Sequence, residues 1–120
     1  MPSKLDPDSA WLVEIQSAVS MISTFCAGMD QAGFVADART SAAVAMYLLV
    51  IGESSRRLTV AAQQEAPEVP WALIVSLCNR IAHGYSSIDR TIVWAIVDGH
   101  LPTLKTAVDR MLAARGEAAP

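Results

Sequence analysis

Leu12, Ile15, Val19, Ile22, Cys26 and Met29 recur at alternating steps of three and four residues. That period lays one apolar stripe along a single helix face, and a chain carrying such a stripe has to bury it against other helices. Asp6-Pro7, just ahead, offers a capping carboxylate followed by a proline suited to the first helical turn, so a helix starts there. Gly28 and Gly33 mark its end. Asp30 caps a short turn carrying Phe34 and Val35, and Thr40 caps a second long helix over about 41–65. The first half of that helix is apolar nearly all round, through Val44, Tyr47, Leu48 and Ile51, which predicts a central position; it then turns polar at GESSRR.

The segment PEVPW, Pro67 to Trp71, interrupts the chain and restarts it, with Pro70 at an initiating position. A third helix follows from Trp71 to about His83, and Gly84 ends it. Asp89 caps a fourth, which holds Ile92, Val93, Ile96 and Val97, and GHLP turns into a last helix with Leu104, Val108, Met111 and Leu112. Strand-type alternation, repeats and low-complexity runs are absent. The sequence therefore predicts a single all-α domain over 1–120, a bundle of four to five helices, with 1–6 and 114–120 as loose termini.

Composition narrows the function classes. Nine Lys and Arg against twelve Asp and Glu leave a net charge of -3, so no global field draws the protein to nucleic acid and any such site must be local. The basic residues that could make one, Arg56, Arg57, Arg80 and Arg90, need folding to bring them together. A hydrophobic content of 52% and a mean hydropathy of +0.34 are high for a small domain, which points to apolar surface covered by a partner or a second copy. The longest uncharged apolar run, Ala42 to Gly52, falls short of the ~20 residues of a membrane helix. Two cysteines, Cys26 and Cys78, make neither a disulfide framework nor a zinc site, and a reducing cytoplasm fits.

The polar exception is LCNRIAHGYSSID, Leu77 to Asp89. On the third helix Ile74, Leu77, Cys78 and Ile81 share a face destined for the core, which makes Cys78 a buried thiol. Ser76, Asn79, Arg80 and His83 share a different stripe, so amide, guanidinium and imidazole project into one place. That stripe reads either as a site or as a solvated helix end, with His83 favoured by the helix dipole; spacing does not choose. Tyr85 alone reads as a packed aromatic with its hydroxyl at the surface. Glu53 either pairs with an arginine such as Arg56, Arg57 or Arg80, holding the stripe in place, or caps the polar end of the second helix.

The order IGESSRRL (Ile51 to Leu58), PEVPW, NRIAHGY (Asn79 to Tyr85) and IDRTIVWAIVDGHLPTL (Ile88 to Leu104) resembles the HepT-like branch of the HEPN superfamily, the toxins of bacterial HepT/MNT toxin–antitoxin pairs. The resemblance covers about Trp11 to Leu112. It implies an HEPN-type homodimer with a cleft between protomers and a metal-independent endoribonuclease that needs no cofactor. The family signature is an arginine, a polar residue, three further residues and a histidine; Asn79 and His83 match it, and Cys78 stands at the arginine position. The resemblance also implies a partner, a minimal nucleotidyltransferase antitoxin, that silences the toxin by transferring AMP to the tyrosine two residues after the histidine. Tyr85 matches that position.

RNA brings its own nucleophile, the 2'-hydroxyl, so such an enzyme needs a base for that proton, an acid for the leaving 5'-oxygen and positive charge near the phosphorane. Imidazole suits both proton roles, which assigns them to His83, and in a two-fold dimer the second His83 supplies the complementary acid. A thiol cannot replace the phosphate-holding arginine; Arg80, one turn before His83, is the candidate substitute. The alternatives are a weakened nuclease, a homologue kept as a non-cleaving antitoxin- or RNA-binding dimer, or a loss-of-toxicity change selected during propagation.

Overall fold

The structure, a computed structural model, describes residues 6–84 and 88–116, and among these it contains seven helices and no strand. The first, α1 (Pro7–Cys26), starts where the sequence places it: the Asp6 carboxylate accepts from the Ser9 amide at 2.6 Å. Leu12, Ile15, Val19 and Ile22 are buried along one face, with Cys26 and Met29 half-buried at its far end. Gly28 then takes a φ of 77°, a left-handed turn that a side chain would strain. The short turn after Asp30 is a helix, α2 (Gln31–Ala36), whose Phe34 is fully buried against Trp94, with ring centroids 5.2 Å apart.

The long central helix is α3 (Ala38–Arg57), and both of its ends differ from the sequence expectation. Asp37, not Thr40, caps it, because the Asp37 carboxylate accepts from both the amide and the hydroxyl of Thr40. The helix stops at Arg57 instead of running to residue 65. There the Thr59 amide and hydroxyl donate to the Asp8 carboxylate of α1 at 2.8 and 2.7 Å, which takes that amide out of the helical ladder. Leu58 swings into the core, and Thr59 caps a separate α4 (Val60–Gln64) through the Ala62 amide. This break and the α2 turn raise the helix count above the expected four or five.

Helix α5 (Trp71–His83) restarts after Pro70 without a side-chain cap. Its anchor is the Trp71 indole, which donates to the carbonyls of Gln63 and Ala66 at 3.0 and 3.1 Å. Asp89 caps α6 (Arg90–Gly99) through the amides of Thr91 and Ile92, and α7 (Leu101–Ala114) follows with Pro102 in its first turn. α3 lies between α1 and α5 and packs on both, while α7 covers the other side of α1 and α6 joins α2 to α7. Of the segments expected to be loose, residues 1–5 and 117–120 lie outside the described residues, and Asp6 and residues 114–116 are described. α7 is helical to Ala114, and the Arg115 guanidinium grips both Glu65 carboxylate oxygens at 2.7 Å and lies 3.9 Å from Asp6.

Candidate functional site

On α5 the two predicted faces separate as the period requires. Ile74, Cys78 and Ile81 are buried and Leu77 is half-buried, whereas Ser76, Asn79, Arg80 and His83 are exposed. At 100° per residue Asn79 and Arg80 flank His83, and the structure puts them in different depressions. Asn79, with Cys78 and Ala82, lines a cavity of about 180 Å³ closed on the α3 side by Leu49, Gly52, Glu53 and Arg56. Arg80, with Ile81 and Gly84, lines a second of about 170 Å³ shared with Ile88, Asp89 and Ile92 of the α6 approach. His83 stands in the last turn of α5, between these flanks.

Position 78 is the point where α5 touches α3. A Cβ built on Gly52 would stand 2.5 Å from the Cys78 Cβ, so only glycine lets the two backbones come this close. Burial pushes the Cys78 thiol up to about 12, against a partial offset from a hydrogen bond with the Gly52 backbone. At neutral pH it is an uncharged core thiol, as its place on the apolar stripe predicts.

Glu53 is half-exposed and bound on its own helix. Its carboxylate accepts from Arg56 at 2.5 and 2.8 Å, with Arg57 at 3.6 Å, and the Arg56 hydrogen bond holds it below the usual carboxylate range. Of the partners considered from sequence, Arg56 and Arg57 are therefore the ones it takes, and Arg80 is not. The four arginines are not gathered into one patch. Arg56 reaches the cavity beside Cys78, Arg57 lies over the Trp11 ring at 5.5 Å, Arg80 faces the opposite depression, and Arg90 donates to the Val35 carbonyl at 2.8 Å. Arg90 is thereby committed to joining α6 to α2. Of the four basic residues that the sequence offers for a local site, Arg56 is the one that lines the cavity with Cys78 and Asn79, four residues after Gly52 on the α3 turn facing position 78. Tyr85 lies outside the described residues. Among the described residues no group of three His, Cys, Asp or Glu side chains is placed to hold a metal, and no helix is long and apolar enough to cross a membrane.

Cys78 is the uncharged floor of one depression, beside the Asn79 amide and the Arg56–Glu53 pair, Arg80 lines the other, and the exposed His83 imidazole stands between the two, so this surface offers donors to an anion with a proton-transfer group nearby. Comparison with known proteins points the same way. The pattern of the HepT-like family, described as ribonuclease HepT-like, matches residues 15–111. The chain is 27% identical over 101 residues to the probable ribonuclease HepT of Thermococcus cleftensis, covering 84% of this chain and 92% of that one. It is 31% identical over 100 residues to a candidate RNase of Methanocaldococcus jannaschii, MJ1380, covering 83% and 92% respectively. A second candidate RNase of that organism, MJ0127, is 32% identical over 93 residues, 78% of this chain and 77% of that one. No solved structure matches the chain.

Proposed function

Because this chain belongs to the HepT-like ribonuclease family, we propose that it is the toxin of a HepT/MNT-type toxin–antitoxin pair, a homodimeric, metal-independent endoribonuclease. The observation that carries the reading is the exposure of His83 and Asn79, one helical turn apart, at the positions of the family signature and in the stretch that the family pattern matches.

His83 acts as general base and acid. The imidazole of one protomer takes the 2'-hydroxyl proton as that oxygen attacks phosphorus, and the second His83 returns a proton to the departing 5'-oxygen. The P–O5' bond breaks as the P–O2' bond forms, which leaves a 2',3'-cyclic phosphate and a 5'-hydroxyl. Asn79 and the neighbouring guanidinium groups hold the non-bridging oxygens. The antitoxin, a minimal nucleotidyltransferase, silences the enzyme by AMP transfer from ATP to Tyr85: the phenolic oxygen attacks the α-phosphorus, pyrophosphate leaves and the phenolic proton is released. The added phosphate repels RNA and fills space beside His83.

The burial of Cys78 favours a second reading. With an uncharged thiol in the core where the signature has an arginine, the chain is a catalytically impaired homologue that binds its antitoxin or RNA without cutting. Induced expression of the parent, of Cys78→Arg and of Cys78→Arg with His83→Ala separates the two. Arrest of growth by the first two supports an active enzyme, and arrest by Cys78→Arg alone supports the impaired one. Arrest by all three removes His83 from the mechanism.

A further inference from the structure

Most of α3 is enclosed by α1 and α5, yet one of its faces is bare. Met46 is 54% exposed in the middle of the helix and Val50, one turn on, is 37% exposed. Met46 is a ridge between two apolar grooves: one of about 350 Å³ against Trp11 of α1, the other of about 240 Å³ against Ile81 of α5. An exposed methionine flanked by apolar hollows is poor surface for a monomer and good surface for interlocking with a like neighbour.

The residues along this face name the neighbour. Arg39 lies seven residues before Met46 and Glu53 seven after it, so all three fall within about 20° of one line along the helix. Nearer the centre, the small Ala42 precedes Met46 by four residues and the larger Val50 follows by four. Turned end for end about Met46, the face becomes its own complement: cation meets anion, small meets large, and Met46 meets itself. A two-fold axis requires such self-complementarity, and an unrelated partner does not.

We infer that a second copy of this chain packs antiparallel on the exposed face of α3, with the two-fold axis at Met46, and brings Arg39 of the partner subunit to Glu53. Glu53 also lines the cavity that holds Cys78, Asn79 and Arg56. The partner's Arg39 therefore adds a guanidinium beside the position where this chain has a thiol, and it competes with Arg56 for the Glu53 carboxylate, freeing Arg56 for a phosphate. The pairing stands on the face of α3 alone; the use of Arg39 on phosphate rests on the ribonuclease reading.

Two measurements test it. In a Cys26→Ser background, mild oxidation links Met46→Cys chains into covalent dimers, because that residue faces its own copy, and leaves Val50→Cys chains unlinked, since the two copies of position 50 lie on opposite sides of the axis. In sedimentation equilibrium, Arg39→Glu and Glu53→Arg each weaken self-association at least tenfold, and an equimolar mixture of the two variants recovers it as a heterodimer with both charge pairs restored. A monomeric parent, a Met46→Cys chain that fails to link, or variants that associate as tightly alone as mixed overturns the inference. A parent that links at position 46 and cuts no RNA leaves this surface standing and removes the ribonuclease reading. A parent that cuts RNA as a monomer removes this surface and the two-subunit proton transfer, and leaves the ribonuclease assignment itself standing.

Discussion

Gly52 and Cys78 set the distance between α3 and α5: a methyl group added to the glycine would overlap the cysteine Cβ, at 2.5 Å. The contact involves the cysteine's Cβ more than its sulfur, which a Cβ on Gly52 would meet at 3.4 Å. Gly52→Ala should therefore destabilise the fold by about 1–3 kcal/mol, the usual cost of overpacking a filled interior. Cys78→Ala should not relieve it, because the Cβ stays. Urea denaturation of the two single variants and the double variant checks both statements.

An arginine at 78 keeps that same Cβ, and the cavity of about 180 Å³ opens beside it towards Glu53. Cys78→Arg should thus retain a cooperative thermal transition, with its guanidinium directed to the Glu53 carboxylate. Adding Glu53→Gln should then lower the melting temperature of the arginine variant by more than it lowers that of the parent. Equal losses in the two backgrounds would mean that the side chain has gone elsewhere.

Thiol chemistry distinguishes the two cysteines. Cys26 is half-buried and Cys78 is buried, so Ellman's reagent should titrate one thiol per native chain and two after denaturation. The pH dependence has a definite sign. The Cys78 thiol ionises near 9.0 when exposed and at about 12 in the fold, so between those values the unfolded chain gives up a proton that the folded chain keeps. Stability from this group is complete below about pH 9 and declines as the pH rises towards 12. A comparison of the parent with Cys78→Ala across that window isolates the effect.

At the other end of the molecule Arg115, only 16% exposed, is held by both oxygens of a half-exposed Glu65 and by the Met111 carbonyl at 3.2 Å. Solvent around Glu65 screens the pair, so Arg115→Ala should cost about 0.5–1 kcal/mol, with the loss shrinking in high salt. Chemical denaturation at low and high ionic strength measures it.

These outcomes depend on features of very different legibility. The start and buried face of α1 are written locally, in Asp6, Pro7 and a three-four period, and the polar rim of α5 follows from the same arithmetic applied to Asn79 and His83. The break at Leu58 is not local. Its cause is Asp8, fifty-one residues away, which captures the Thr59 amide once α1 and α3 have packed. The dispersal of the arginines is likewise tertiary: Arg90 is claimed by the Val35 carbonyl and Arg57 by the Trp11 ring, partners that no spacing rule reveals. The cap of α3 illustrates a third case, in which Asp37 and Thr40 are both capping types and the carboxylate prevails by accepting two hydrogen bonds from its rival.

The three tryptophans sit at three different helix junctions. Trp71 donates into the Gln63 and Ala66 carbonyls, Trp94 lies against Phe34, and Trp11 is beneath a guanidinium. Each indole thus has its own surroundings, and chains that keep one tryptophan at a time, with phenylalanine at the other two, would let emission follow the α4–α5 link, the α2–α6 corner and the α1–α3 seam one by one. The helices are joined at three places by the same bulky residue type used in three different ways: as a hydrogen-bond donor, as a ring partner and as a seat for a cation.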